Sequence, residues 1–194
     1  MGAVALAVLA FGQLAAEGPG WVWDGAEVHP GCIRELTTAL SDRLPVVAAV
    51  DLEGCRRSGR YSSPAEVAGS FLRWRDPEQL GRGYFEYRYL GVLTSGVHVV
   101  RVRESGGGSG VFQDLLFLRT GEGEVLESGR RRVRHHLTLV GSESLGDRDQ
   151  ATIELSGAQV TIRRRRFRGS QGWGPEEAIT RRFELHVLAP MEAP

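Results

Sequence analysis

The chain of 194 residues contains no lysine and no asparagine, and only two cysteines and two methionines. Without lysine there is no Walker-type phosphate loop, no Schiff base to pyridoxal phosphate and no Ser-Lys dyad. Without asparagine there is no N-glycosylation sequon and no Cys-His-Asn protease arrangement. Both residues use codons beginning AA, so a GC-rich coding sequence accounts for the two absences and for an arginine count of 24. Arginine runs therefore carry less weight here than in an average chain.

Excess charge of either sign is also missing. The 24 arginines face 24 acids, for a formal net charge of zero. That argues against a generic nucleic-acid binder, which presents an electropositive face and a basic isoelectric point. The balance is uneven along the chain, however. Residues 1–129 hold 12 Arg against 16 acids (net −4), residues 130–168 hold 10 against 4 (net +6), and residues 169–194 hold 2 against 4 (net −2).

Residues 3–16 (AVALAVLAFGQLAA) form the one long apolar run, closed by small residues. Its length matches the apolar region of a signal peptide and falls short of the ~20 residues of a membrane span. No arginine precedes Arg34, so the usual basic n-region is missing. The expectation is an exported protein, in the periplasm, cell envelope or outside the cell, with 1–16 signal-like and 17–194 one domain. The alternative is an apolar element packed on that domain. A membrane would be met only through an uncleaved N-terminal segment. Cys32 and Cys55 fit export as a single disulfide, with two buried thiols as the alternative. They lack CxxC spacing, so neither a redox motif nor a zinc site is expected.

What is present reads as mainly β. Ile33, Leu36 and Leu40 recur at i, i+3 and i+7 and predict one amphipathic helix over about 31–43, stopped by Pro45. Residues 45–52 (PVVAAVDL) predict a buried strand, and 54–64 (GCRRSGRYSSP) turns. Further strands are predicted at 67–74, 111–119, 133–140 and 179–188, together with two hairpins. A turn at Ser95-Gly96 would pair Tyr89 with Val102 and Leu93 with His98. A turn at Ser156-Gly157 would pair Ile153 with Val160 and place Asp149 across from Arg164. Such a series predicts a single antiparallel β-barrel or strongly curved sheet with one N-terminal helix. The adjacent Gly20-Trp21 lacks the Gly-x-Trp spacing of lipocalins, and nothing is carried over from that family.

No complete catalytic set is present. The glycine run 105–110 (SGGGSG), centred on Gly107, Gly108 and Ser109, leads into a strand and not into a helix N-terminus. It therefore reads as a hairpin connection or an anion-binding nest, not as a phosphate loop or nucleophile elbow. The arginine clusters 130–134 and 163–168 read as solvated strand surface, or as a patch for an anionic glycan, lipid headgroup or nucleic acid. Alternation places at most half of each cluster on one surface. Glu143, Asp147 and Asp149 alternate in 141–150 but lack the EF-hand pattern. His135 and His136 diverge on a strand, so no metal and no cofactor is expected. Trp173, in the glycine-rich stretch 169–177, reads as a contact residue or as a lid over the core.

Inward-facing polar side chains are the sharper signal. Alternation turns Tyr87, Tyr89, His98, His135 and Arg164 toward the core, where each needs a partner or a wet cavity. The function expected is a non-enzymatic exported module that binds a small ligand or a partner protein in or at the β structure. The alternative is a hydrolase or isomerase using His98 or His135 as general base with an acid such as Asp114.

Overall fold

Two-residue alternation does govern most of this chain, and it builds an open sheet buried on both faces. The computed structural model describes residues 19–37, 49–59, 61, 63–77, 83–148 and 150–184. In chain order the elements are β1 (Val22–Trp23), β2 (Ala26–Glu27), α1 (Pro30–Thr37), β3 (Ala49–Asp51), α2 (Leu52–Arg57), β4 (Glu66–Ala68) and β5 (Phe71–Trp74). They continue with β6 (Tyr84–Val92), β7 (His98–Ser105), β8 (Phe112–Glu127), β9 (Arg130–Asp147), β10 (Gln150–Ser156), β11 (Gln159–Phe167) and β12 (Trp173–Arg182).

Seven strands form one antiparallel sheet in the order β3-β9-β8-β7-β6-β5-β4. A second sheet, β10-β11-β12, is also antiparallel, and β1-β2 is a small separate hairpin. The residues Leu115–Leu118 show how the layers arise. Leu116 and Leu118 enter one core with Tyr87, Val100, Val102 and Leu137, capped by Trp21, Val28, Ile33, Leu36 and Leu52. Leu115 and Phe117 enter a second core with Val97, Val99 and Leu145, capped by Val160 and Ile162 of the small sheet. A continuous apolar run is the signature of a strand covered on both sides. The result is three layers: the helices with the N-terminal hairpin, the large sheet, and the small sheet.

The barrel expectation is corrected by this layering. No ladder joins β3 to β4, so the large sheet keeps two edges, and its apolar side chains divide between two faces instead of lining one interior. A helix α1 (Pro30–Thr37) overlaps the start of the predicted 31–43 span, whose residues 38–43 lie outside those described. A second helix, α2, occupies ground read as turn. Asp51 caps it, its Oδ1 accepting from the amides of Glu53 and Gly54 at 3.0 Å each. The disulfide Cys32–Cys55 ties α1 to α2, with Cα atoms 6.0 Å apart.

The second hairpin register is shifted by two residues, and the first by two residues up to a bulge and by one beyond it. Tyr89 pairs with Val100 and Tyr87 with Val102, and a bulge at Tyr89/Gly91 precedes the Val92–His98 pair. Gly91 adopts φ 137°, open to glycine and strained for other residues, which permits the bulge. In the second hairpin the turn residues are Gly157-Ala158, with Ile153 across from Ile162 and Arg164 across from Ala151. Asp149, expected opposite Arg164, lies outside the described residues. A two-residue slip preserves sidedness, so Tyr87, Tyr89, His98, Ile153 and Arg164 keep their predicted faces, whereas the bulge turns Leu93, expected opposite His98, into the second core with Val97 and Val99.

Candidate functional site

The five inward polar residues divide among three places. Tyr87, Tyr89 and His98 gather beneath Trp21. The buried Tyr87 hydroxyl donates to the Val28 carbonyl (2.6 Å) and accepts from the Trp21 amide (3.0 Å). Trp21 stacks on His98 and Tyr89 with ring centroids 4.4 and 5.3 Å away, and Tyr89 Oη lies 3.0 Å from His98 Nδ1. Burial pushes the Tyr89 phenol up to about 12 and the His98 imidazole below its usual range. This cluster fastens the N-terminal hairpin to the large sheet.

His135 shares that face but lies at its margin against Trp23, where its ring nitrogens each sit 3.2 Å from a carboxylate, Glu53 or Glu122. Those hydrogen bonds, to Glu53 first, raise its pKa. Arg164 belongs to the other core. Its guanidinium donates to the Ser144 carbonyl and pairs with Glu177 (3.4 Å) and Glu143 (3.6 Å). Asp114 stands across from Val102, whereas His98 stands across from Leu118, four positions along β8 and so about 13 Å away. Burial raises the Asp114 pKa. Among the described residues no group of three or more His, Cys, Asp or Glu side chains could hold a metal ion. Glu143 instead pairs with Arg164 and Arg181, and Asp147 Oδ1 accepts from the Val111 amide at 2.7 Å.

A different constellation lies on the face of the large sheet that meets the small one. The ladder puts Arg73, Glu86, Arg103 and Gln113 in one row across β5 to β8, with Arg88 and Arg101 opposite each other in the next. Glu86 is fully buried between Arg73 (2.7 Å) and Arg103 (2.9 Å) and serves both. Arg103 also lies 4.9 Å over the Phe71 ring.

Arg101 has no such partner. It donates to Gln113 Oε1 (2.7 Å) and to the Ala151 carbonyl (3.2 Å), both neutral, and its buried Nε makes no hydrogen bond. Among the described residues no carboxylate lies within ion-pair distance of it. Burial lowers its pKa, and the positive charges of Arg103 and Arg88 lower it further. A partly buried cation opposed by like charge is destabilising unless an anion completes its shell.

Beside Arg101 a cleft of about 550 Å³ runs along the free edge of β10. Arg101, Arg103 and Gln113 line its large-sheet side, while Arg148, Arg163 and Arg165 line the other, with Glu176 as its one acid among the described residues. Arg163 and Arg165 share the outer face of the small sheet with Gln150, Thr152 and Glu176 through the cross-strand register. The glycine run enters here: Arg148 donates to the Ser109 carbonyl, Gly107 has φ 90°, and its amide donates to Ser105 Oγ (3.3 Å). Gly108 lies beside them in the same loop.

Sequence reasoning missed Arg101, Arg103, Glu86 and Phe71. The signal was available in RVR at 101–103, whose arginines alternate with core valines and so share the face opposite the tyrosines. Compared with protein-family models, with curated proteins and with solved structures, the chain matches none. Fold and site therefore define only a broad class: a mainly β, disulfide-bonded protein with an arginine-lined cleft between two sheets.

Proposed function

We propose that this protein is an exported, non-enzymatic binding module whose inter-sheet cleft takes a small anionic ligand, a carboxylate or a phosphate. The observation that carries the reading is Arg101: partly buried, without a carboxylate partner, and facing the like charges of Arg88 and Arg103. A fold that leaves such a guanidinium uncompensated gains when an anion enters, and the planar fork suits bidentate recognition of carboxylate or phosphate. Export rests on the disulfide, which persists in oxidising compartments, and on the signal-like run 3–16. No observation favours the hydrolase reading, because His98 is engaged by Trp21 and Tyr89 and His135 by two carboxylates.

Calorimetric titration of the folded protein with inorganic phosphate and with citrate tests this. Saturable binding that weakens at least ~10-fold in Arg101→Gln, with unchanged circular dichroism, is the expected result. Absence of binding to both anions, or equal binding by the variant, overturns the reading.

A further inference from the structure

Strands β8 and β9 outrun their neighbours in the large sheet. β7 pairs with β8 only as far as Leu118, and β3 pairs with β9 only over His136–Thr138. Beyond those points β8 and β9 run on as a two-stranded ribbon to Glu127 and Arg130. The ribbon turns at Ser128-Gly129, both with positive φ (52° and 77°), as a tight hairpin turn requires. It carries the arginine cluster 130–134, and alternation puts Arg130, Arg132 and Arg134 on one face with Glu127. Helix α2 starts where β3 stops and lies against this stretch of β9, bringing Arg56 and Arg57 of its last turn to the same place.

Between helix and ribbon is a groove of about 610 Å³, lined by Glu53, Arg56, Arg57, Arg132, Val133 and Arg134. The buried Arg134 holds both nearby carboxylates, Glu53 at 3.0 Å and Glu127 at 2.7 Å. The exposed Arg132 and Arg57 are left with the far side of Glu127, at 3.4 and 4.0 Å. Arg56 and Arg130, also exposed, have no carboxylate within ion-pair distance among the described residues. Five guanidinium groups thus meet two carboxylates, both drawn inward, in a chain whose net charge is zero.

Such a local excess attracts anions, and its shape selects among them. The four outer arginines come from two elements and are spread out, Arg130 and Arg132 lying about 7 Å apart along β9. One small dianion binds where a few donors converge in a concave site, which this array does not offer. A polymer with an anion on each repeat can engage all four, and weak exposed pairs then add along it. Val133 is the one apolar side chain of the lining among the described residues, too little for the core of a protein interface. The same lining holds no aromatic ring on which the bases of a single-stranded nucleic acid would stack. A five-residue arginine-rich run is also the local pattern of a heparin-type patch.

We infer that the groove between α2 and the β8–β9 ribbon binds an acidic polysaccharide, whose sulfate or carboxylate groups pair with Arg56, Arg57, Arg130 and Arg132. Arg134 keeps Glu53 and Glu127 below them. The groove shares no lining residue with the Arg101 cleft and can bind where that reading fails.

Calorimetric titration of the full chain with a heparin oligosaccharide and with an oligogalacturonate tests this, and separates sulfate from carboxylate as the group bound. Saturable binding to at least one of them is expected, weakening as salt rises. Affinity falls at least ~10-fold in Arg56→Gln/Arg130→Gln/Arg132→Gln, and about 3-fold in Arg56→Gln alone, with circular dichroism unchanged. Arg101→Gln leaves it unchanged, which separates this result from the cleft, and so does Arg166→Gln/Arg168→Gln in the other arginine cluster. No binding to either polysaccharide, full binding by the triple variant, or an equal loss in Arg166→Gln/Arg168→Gln overturns the inference. So does tighter binding to polyglutamate or to a single-stranded oligonucleotide than to either polysaccharide.

Discussion

Histidine is the residue through which this fold senses pH, and its copies act in opposite directions. His135 is held charged by Glu53 and Glu122, so its folded pKa lies above the unfolded value of about 6.5. Its stabilising contribution is complete below that value and is lost as pH rises through the folded pKa. His98 and His29 are held neutral by burial, so their folded pKa values lie below 6.5. Their contribution is complete above ~6.5 and is lost as pH falls toward the folded value. Urea midpoints across pH 5 to 8 therefore separate two variants. The gap between wild type and His135→Gln is widest at the acid end and closes toward the alkaline end. The gap for His98→Gln behaves in the reverse sense. Parallel curves for wild type and both variants would contradict these assignments.

Among the elements, those set by period alone were legible, and those set by a local or tertiary device were not. The two hairpins β6-β7 and β10-β11 follow from alternation, β8 and β9 run past the predicted 111–119 and 133–140, and β12 overlaps the predicted 179–188 only at 179–182. The faces of the inward tyrosines and of Ile153 survived the wrong register because that error was two residues, whereas Leu93, beyond the bulge, turned to the other core. The bulge at Gly91 could not be read, since it depends on a positive φ that many glycines adopt without a bulge. Helix α2 could not be read because six residues containing Gly54 have little helical propensity of their own. Its supports are the Asp51 cap, the ion pair of Glu53 with Arg134 at 3.0 Å, and the disulfide to α1. Removing the last of these is informative. The bridge spans 23 positions and, in the chain-entropy model, contributes about 3 kcal/mol. Cys32→Ser/Cys55→Ser should lose that amount in equilibrium denaturation, and dithiothreitol should reproduce it in the wild type. A loss well under 1 kcal/mol would show that core packing alone holds α1.

At the scale of the whole molecule, the candidate site is a consequence of how two sheets share one face. Leu115, Phe117 and Val99 make half of that face apolar, and Val160 and Ile162 cover it. Arg73, Glu86, Arg101 and Arg103 make the other half polar, and the small sheet stops at its border with β10. The arginines were countable in the sequence, yet which of them share a surface depends on where β10 lies, a long-range fact that no local pattern encodes. The same dependence gives a test. Ile162 is fully buried between the sheets and does not line the cleft, and Ile162→Ala should cost about 3 kcal/mol through lost transfer energy and a cavity. If the cleft exists only while the sheets are docked, the loosened layer also lets the Ala151 carbonyl, Arg163 and Arg165 drift from Arg101. Phosphate affinity then falls together with stability, although no cleft residue has been changed. A surface control such as Thr180→Ala, on β12, should leave both intact. Should Ile162→Ala lose stability while phosphate binds as before, the anion would be held by the large sheet alone, and the small sheet would serve only as cover.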